Sequence, residues 1–234
     1  MDATPITQDP TGLAAPDFGE LSRAAASASR ASTAPPLSAL RRFVRPRTKQ
    51  ERCELCGEVL SPRHEHLIEP ATHKIVCSCD ACAILFSDKQ AKRFRRIPHR
   101  IQPLPDFQIT DAQWENLHLP INLAFFYRST QANRVVAMYP SPAGATESLV
   151  PLDAWSELVS ANPVLNAMQE DVEALLINRV GRHRDCFIVP IDQCYKLVGL
   201  IRTHWRGLSG GEEVWNTVER FFEELERRSS SAKE

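Results

Sequence analysis

The stretch Arg52-Cys53-Glu54-Leu55-Cys56-Gly57, answered by Cys77-Ser78-Cys79-Asp80-Ala81-Cys82, decides how this chain is read. It contains two Cys-x-x-Cys pairs, Cys53/Cys56 and Cys79/Cys82, with 22 residues between them. Two residues inside each pair let both sulfurs reach one tetrahedral ion, and the second pair closes the shell. Thiolate ligands select zinc or iron. A closed four-thiolate shell leaves no coordination position for substrate, which is the pattern of a structural ion. Rubredoxin-type iron sites carry two knuckles, each followed by glycine. Here only Cys56 is followed by Gly57, while Cys82 runs into Ala83-Ile84-Leu85-Phe86. Zinc is therefore the expected metal, with iron in an electron carrier as the alternative.

Working outward, Gly57 supplies the positive φ that closes a knuckle turn. Ile75 to Cys79 reads as a short strand, and the second pair opens a helix. Knuckle, hairpin and Cys-x-x-Cys at a helix start resemble the treble-clef and zinc-ribbon modules. Cys77 is a fifth cysteine in the same place. In a strand it shares a face with Cys79, which makes it a core thiol beside the site, an alternative ligand or a redox-active group.

The rest of the chain reads as a mixed α+β domain over residues 93–228, ending in two helices. Thr110 with Gln113 forms a capping box for a helix over 111–117. Ile121 to Arg128 and Arg134 to Tyr139 are apolar, aromatic-rich runs that read as paired strands. Ser141 to Thr146 reads as a loop, Leu152 to Ala161 as a helix, and Cys186 to Val189 as a strand. Val172 to Arg179 fits helix or strand, with strand preferred. Asp192 is placed as the cap of a helix ending near Gly207. Ser209 and Glu212 form a second capping box, opening a helix to about Arg227 with Val214, Trp215, Val218, Phe221, Phe222 and Leu225 on its apolar face. Residues 1–40, rich in Ala, Ser, Thr and Pro, are expected to be disordered, as is the polar tail 229–234. Residues 41–92 are a basic lead-in plus the four-cysteine module.

The net charge of −1 hides an asymmetry. Residues 41–100 hold 14 Lys and Arg against 7 Asp and Glu, whereas residues 101–234 hold 12 against 18. The cluster Lys92, Arg93, Arg95, Arg96 and Arg100 could bind phosphates, face solvent, or dock onto the acidic body or an acidic partner. Seven cysteines, five of them within residues 53–82, do not form the framework of a small secreted protein. The first residues lack the apolar segment of a signal peptide, and no run of about 18 apolar residues suggests membrane insertion. A reducing cytoplasm is the expected location. Cys186 and Cys194 lack ligand spacing and read as core.

Two resemblances extend this reading. Glu65-His66 ahead of a strand and a Cys-x-x-Cys resembles the HNH nucleases. In that family's pattern an Asn follows the last cysteine and a further His lies on the helix. Ala83 and Ile84-Leu85-Phe86 stand there instead, so the nuclease metal has no seat. Secondly, the runs Arg52 to Gly57, His66-Leu-Ile-Glu-Pro70, Cys77 to Phe86, Leu104-Pro-Asp-Phe107, Pro140 to Glu147, Pro190-Ile-Asp192 and Trp205 to Gly211 resemble an uncharacterised bacterial family. Its genes tend to lie beside those of nickel-iron uptake hydrogenases. The resemblance implies a pathway, hydrogenase assembly or electron delivery, and the leading reading is a non-enzymatic accessory protein whose protein partner is a hydrogenase subunit or maturation factor. Only Cys53, Cys56, Cys79 and Cys82 carry over as a site. A rubredoxin-like carrier and a nucleic-acid-binding zinc protein are the alternatives.

Overall fold

The computed structural model describes residues 50–87, 93–149, 151–207 and 210–231. The segment 1–40 expected to be disordered, the lead-in at 41–49, Lys92, the cap residue Ser209 and residues 232–234 of the expected disordered tail 229–234 lie outside them, while residues 229–231 of that tail are helical instead.

Two antiparallel sheets organise the chain. The first is a three-stranded sheet of order β2-β1-β3, built from β1 (Glu65–Glu69), β2 (Lys74–Ser78) and the two-residue β3 (Arg95–Arg96). The helix α1 (Asp80–Phe86) follows β2 directly. The second sheet has six strands in the order β4-β9-β8-β5-β6-β7. These are β4 (Gln102–Pro103), β5 (Leu123–Ser129), β6 (Arg134–Ser141), β7 (Gly144–Ser148), β8 (Glu173–Asn178) and β9 (Asp185–Pro190).

Helices cover both faces of the large sheet. The helices α4 (Ile191–His204) and α5 (Gly211–Ser231) pack on the face that carries Phe125, Tyr127, Leu176, Phe187 and Val189. On the opposite face, Phe126, Leu175, Ile177 and Ile188 meet α2 (Asp111–Asn116), α3 (Leu152–Ala161) and a 3-10 turn over Pro163–Ala167. Successive residues of a strand point to opposite faces, so a strand covered on both sides carries apolar residues on both faces, not on alternate positions. This is why Glu173–Asn178, buried throughout, shows no period-2 alternation and is ambiguous in sequence.

The Thr110 capping box is present in full, and the β5/β6 pair and the bounds of α3 are as expected. Two expectations are corrected. The segment 141–146 is not a loop: β6 continues to Ser141 and β7 starts at Gly144, leaving only Pro142 and Ala143 to turn the chain. Glycine is suited to this turn because Gly144 has φ +128°. Asp192 is not a cap. The residue before the first helical position is Pro190, with no side-chain cap, and Asp192 lies in the first turn. In addition, α5 continues past Arg227 to Ser231.

Strand β1 is a wall shared by two cores. Leu67 packs with Val76, Ala83 and Phe94 on the α1 side. Ile68 joins the core beneath α4 and α5, with Ile75 of β2 packed against it.

Candidate metal centre

The knuckle is built by backbone hydrogen bonds. Cys53 N–H donates to Glu58 O at 2.8 Å, and Gly57 N–H donates to Cys53 O at 2.8 Å, with Gly57 at φ +81°. Glu54 ties this turn to the hairpin through reciprocal contacts: its N–H donates to Cys77 O, and its carboxylate accepts from Cys77 N–H, both at 2.9 Å. Cys79 precedes the first residue of α1 in extended conformation, at φ −78° and ψ 162°. One helical turn then brings Cys82 alongside it, with Ala83 N–H donating to Cys79 O at 2.8 Å.

The sulfurs of Cys53, Cys56, Cys79 and Cys82 all lie within 4.8 Å of one another. Cys56 and Cys79 Sγ are 3.7 Å apart. A zinc tetrahedron with metal–sulfur bonds of about 2.3 Å has edges of roughly 3.8 Å, so the spacing suits one ion. Cys53 and Cys82 are buried, Cys79 is half-buried and Cys56 forms the exposed rim.

The electrostatics of the cluster also fit a cation. Burial opposes ionisation of Cys53, yet backbone groups of Cys79, Leu55 and Cys56 bring it down to about 6. Burial, then the neighbouring thiols of Cys56, Cys79 and Cys53, push Cys82 far above the ordinary thiol range. Four thiols this close cannot all ionise without a positive charge between them. The arrangement can therefore hold a metal ion through four protein ligands.

Cys77 is not one of the four. β2 ends at Ser78, so the expectation that Cys77 and Cys79 share a strand face does not hold. Cys77 lies directly across the strand pair from His66. Burial, then the charges of Glu51, Glu54 and Cys53, raise its thiol.

The hairpin histidines are not equivalent: His64 and His66 are half-buried, whereas His73 is exposed. His66 Nδ1 is 2.7 Å from Asp192 Oδ2, and His66 Nε2 is 3.2 Å from His64 Nε2. The Asp192 hydrogen bond raises the His66 imidazole above its usual range, despite opposing burial. His73, at φ +56°, shares a 3.0 Å hydrogen bond through Nε2 with the Tyr127 hydroxyl.

The arginine cluster does not form a free phosphate-binding face. Arg93 pairs with Glu69, Arg95 with Asp171, Arg96 with Glu65 and Arg100 with Glu173, at 2.7, 3.2, 2.7 and 3.0 Å. Two of these partners, Asp171 and the fully buried Glu173, belong to the segment leading into β8 and to β8 itself. Arg95 and Arg100 thus tie the basic segment to the acidic body, while Arg93 and Arg96 pair with β1. No helix among the described residues is long and apolar enough to cross a membrane.

What sequence reasoning missed is the contact among His64, His66 and Asp192. A signal was available: a His-x-His entering β1, its second histidine opposite a cysteine of β2.

A family model described as a family of unknown function (DUF5947) matches residues 52–229, and the chain belongs to that family. No curated protein and no solved structure matches the chain.

Proposed function

We propose that this member of the DUF5947 family is a non-enzymatic accessory protein of the cytoplasm. In this reading a zinc ion held by Cys53, Cys56, Cys79 and Cys82 shapes a treble-clef type module that docks onto a protein partner. The observation that carries the reading is on α1. This helix begins at the metal cluster and presents Ile84, Leu85 and Phe86 to solvent, with 68%, 67% and 38% of their surface exposed. Three consecutive large apolar side chains on a surface helix are unfavourable unless a partner covers them. Zinc fixes the first turn of that helix through Cys79 and Cys82, so binding the metal sets the docking surface.

The donor set supports zinc over iron because the second pair enters a helix instead of a second knuckle. The arginines support a protein partner over nucleic acid because the chain's own carboxylates already neutralise those described. The resemblance to proteins encoded beside nickel-iron hydrogenases makes a subunit or maturation factor of that enzyme the partner to try first.

Elemental analysis with an absorption spectrum, followed by photocrosslinking from position 85, tests this reading. Colourless protein containing zinc that crosslinks to a hydrogenase component, and loses that crosslink in Ile84→Asp, agrees with it. Iron with thiolate charge-transfer bands would transfer the chain to electron carriage. A crosslink unchanged by Ile84→Asp would remove α1 as the contact.

A further inference from the structure

We propose that His64, His66 and Cys77 form a second metal site, separate from the four-cysteine cluster, which binds a divalent transition-metal ion and leaves one coordination position open. The three ligand atoms lie within 4.8 Å of one another.

Strand geometry places them together. His66 and Cys77 are directly paired across β1 and β2, so their side chains leave the same face of the hairpin. His64 lies just before β1, and its Nε2 comes within 3.2 Å of His66 Nε2 on that face. It is the face that carries Ile68 and Ile75 toward the body, while Leu67 and Val76 point the other way, toward α1. All three ligands are half-buried, and His66 meets Asp192 in the first turn of α4.

Hydrogen bonding fixes which ring nitrogens are available. His66 Nδ1 faces the Asp192 carboxylate at 2.7 Å. His64 Nδ1 faces two acceptors, the Ser61 carbonyl at 3.0 Å and Glu51 Oε2 at 3.6 Å. Both Nδ1 atoms must donate, which leaves both neutral rings with a bare lone pair on Nε2. Those two lone pairs point at each other across 3.2 Å. Two facing lone pairs repel unless a proton or a metal ion lies between them. Metal–nitrogen bonds of about 2.0–2.1 Å at the tetrahedral angle put two ligand nitrogens roughly 3.3 Å apart, which matches. A carboxylate on the far nitrogen of a ligating histidine is the usual outer-shell partner of a metal-bound imidazole. Two imidazoles and one thiolate make a set suited to zinc, cobalt or copper. With three protein ligands the fourth position is free for water or a small donor.

This site does not depend on the zinc reading of the four-cysteine cluster, and the test separates the two. Full-length protein is stripped of metal and titrated with Co(II) at neutral pH, following the thiolate charge-transfer and ligand-field bands, with Zn(II) competition for affinity. The wild-type chain is expected to bind two equivalents. His64→Ala and Cys77→Ser should each bind one and keep the spectrum of the four-thiolate site. Cys56→Ser should retain the one-thiolate spectrum of the second site. Asp192→Asn should bind two equivalents, the second about 10–100-fold more weakly, as expected when an outer-shell partner is removed.

A single equivalent in the wild-type chain that survives in Cys77→Ser overturns the second site, the position between the imidazoles then being taken by a proton. A single equivalent lost in Cys77→Ser but kept in Cys56→Ser supports this site and overturns the four-cysteine one. Circular dichroism of each variant shows that the fold is retained. His64→Ala serves as the ligand variant because His64 lies outside the strand and its loss leaves the His66–Asp192 contact in place.

Discussion

Replacing Glu65 by Gln should destabilise the protein by about 1–2 kcal/mol at neutral pH, and the loss should fade in acid. Glu65 is buried at the start of β1. Its carboxylate accepts from Arg96 Nε at 2.7 Å and meets His99 Nε2 at 3.1 Å. The Arg96 hydrogen bond, opposed by burial and helped by His99, lowers its acid range from 4.5 to about 2. At roughly 1.4 kcal/mol per pH unit, that shift has a ceiling of about 3 kcal/mol. The Arg96 and His99 side chains remain 48% and 66% exposed. Water screens both partners, which brings the expectation down to about 1–2 kcal/mol. A lowered carboxylate range means the stabilisation is complete above 4.5 and is lost as the pH falls toward 2. Urea unfolding of metal-loaded wild type and Glu65→Gln, at pH 7, 5.5 and 3.5, measures this. Acid release of the metal affects both chains and cancels in the difference. That difference should hold between pH 7 and 5.5 and shrink by about half at pH 3.5. A difference independent of pH would assign the loss to packing and refute the ion-pair argument.

Three further predictions follow from single contacts. Cys56→Ser should remove one metal equivalent and expose the knuckle to protease, whereas Cys186→Ser, buried in the core of the large sheet, should leave metal content unchanged by elemental analysis. Gly210→Ala should cost about 1–3 kcal/mol in urea unfolding. Gly210 sits at φ +88°, and an added Cβ would lie 2.8 Å from Val214 Cγ1 and 3.2 Å from the Trp205 ring. Tyr127→Phe should cost about 1 kcal/mol by the same assay, because it removes the hydroxyl that holds His73 at the hairpin turn.

The parts legible in the sequence were those set by local rules. The Thr110–Gln113 box, the β5/β6 pair and the four-cysteine cluster each depend on spacings within one or two elements. β8 was preferred as a strand, and is one, but it stayed ambiguous because helices cover both of its faces and remove the alternation. Misreadings arose where tertiary contacts overrode the local pattern. The Pro and Gly of 140–146 suggested a loop, but they turn a tight hairpin instead. Asp192 has the chemistry of a cap, yet its carboxylate is taken by His66, a residue 126 positions away. Cys77 was assigned to the wrong face because the strand ends one residue before Cys79.

That long reach from His66 to Asp192 also bears on how the chain matures. The four sulfurs of the first cluster are contained in residues 53–82, so they can gather soon after that segment leaves the ribosome. The contact to Asp192 cannot form until more than a hundred further residues have been made and α4 has docked. The ligands of the second site, His64, His66 and Cys77, lie in the same early segment, so Asp192 would tighten a site already assembled, and its hold on an ion would strengthen once the chain has closed around the hairpin.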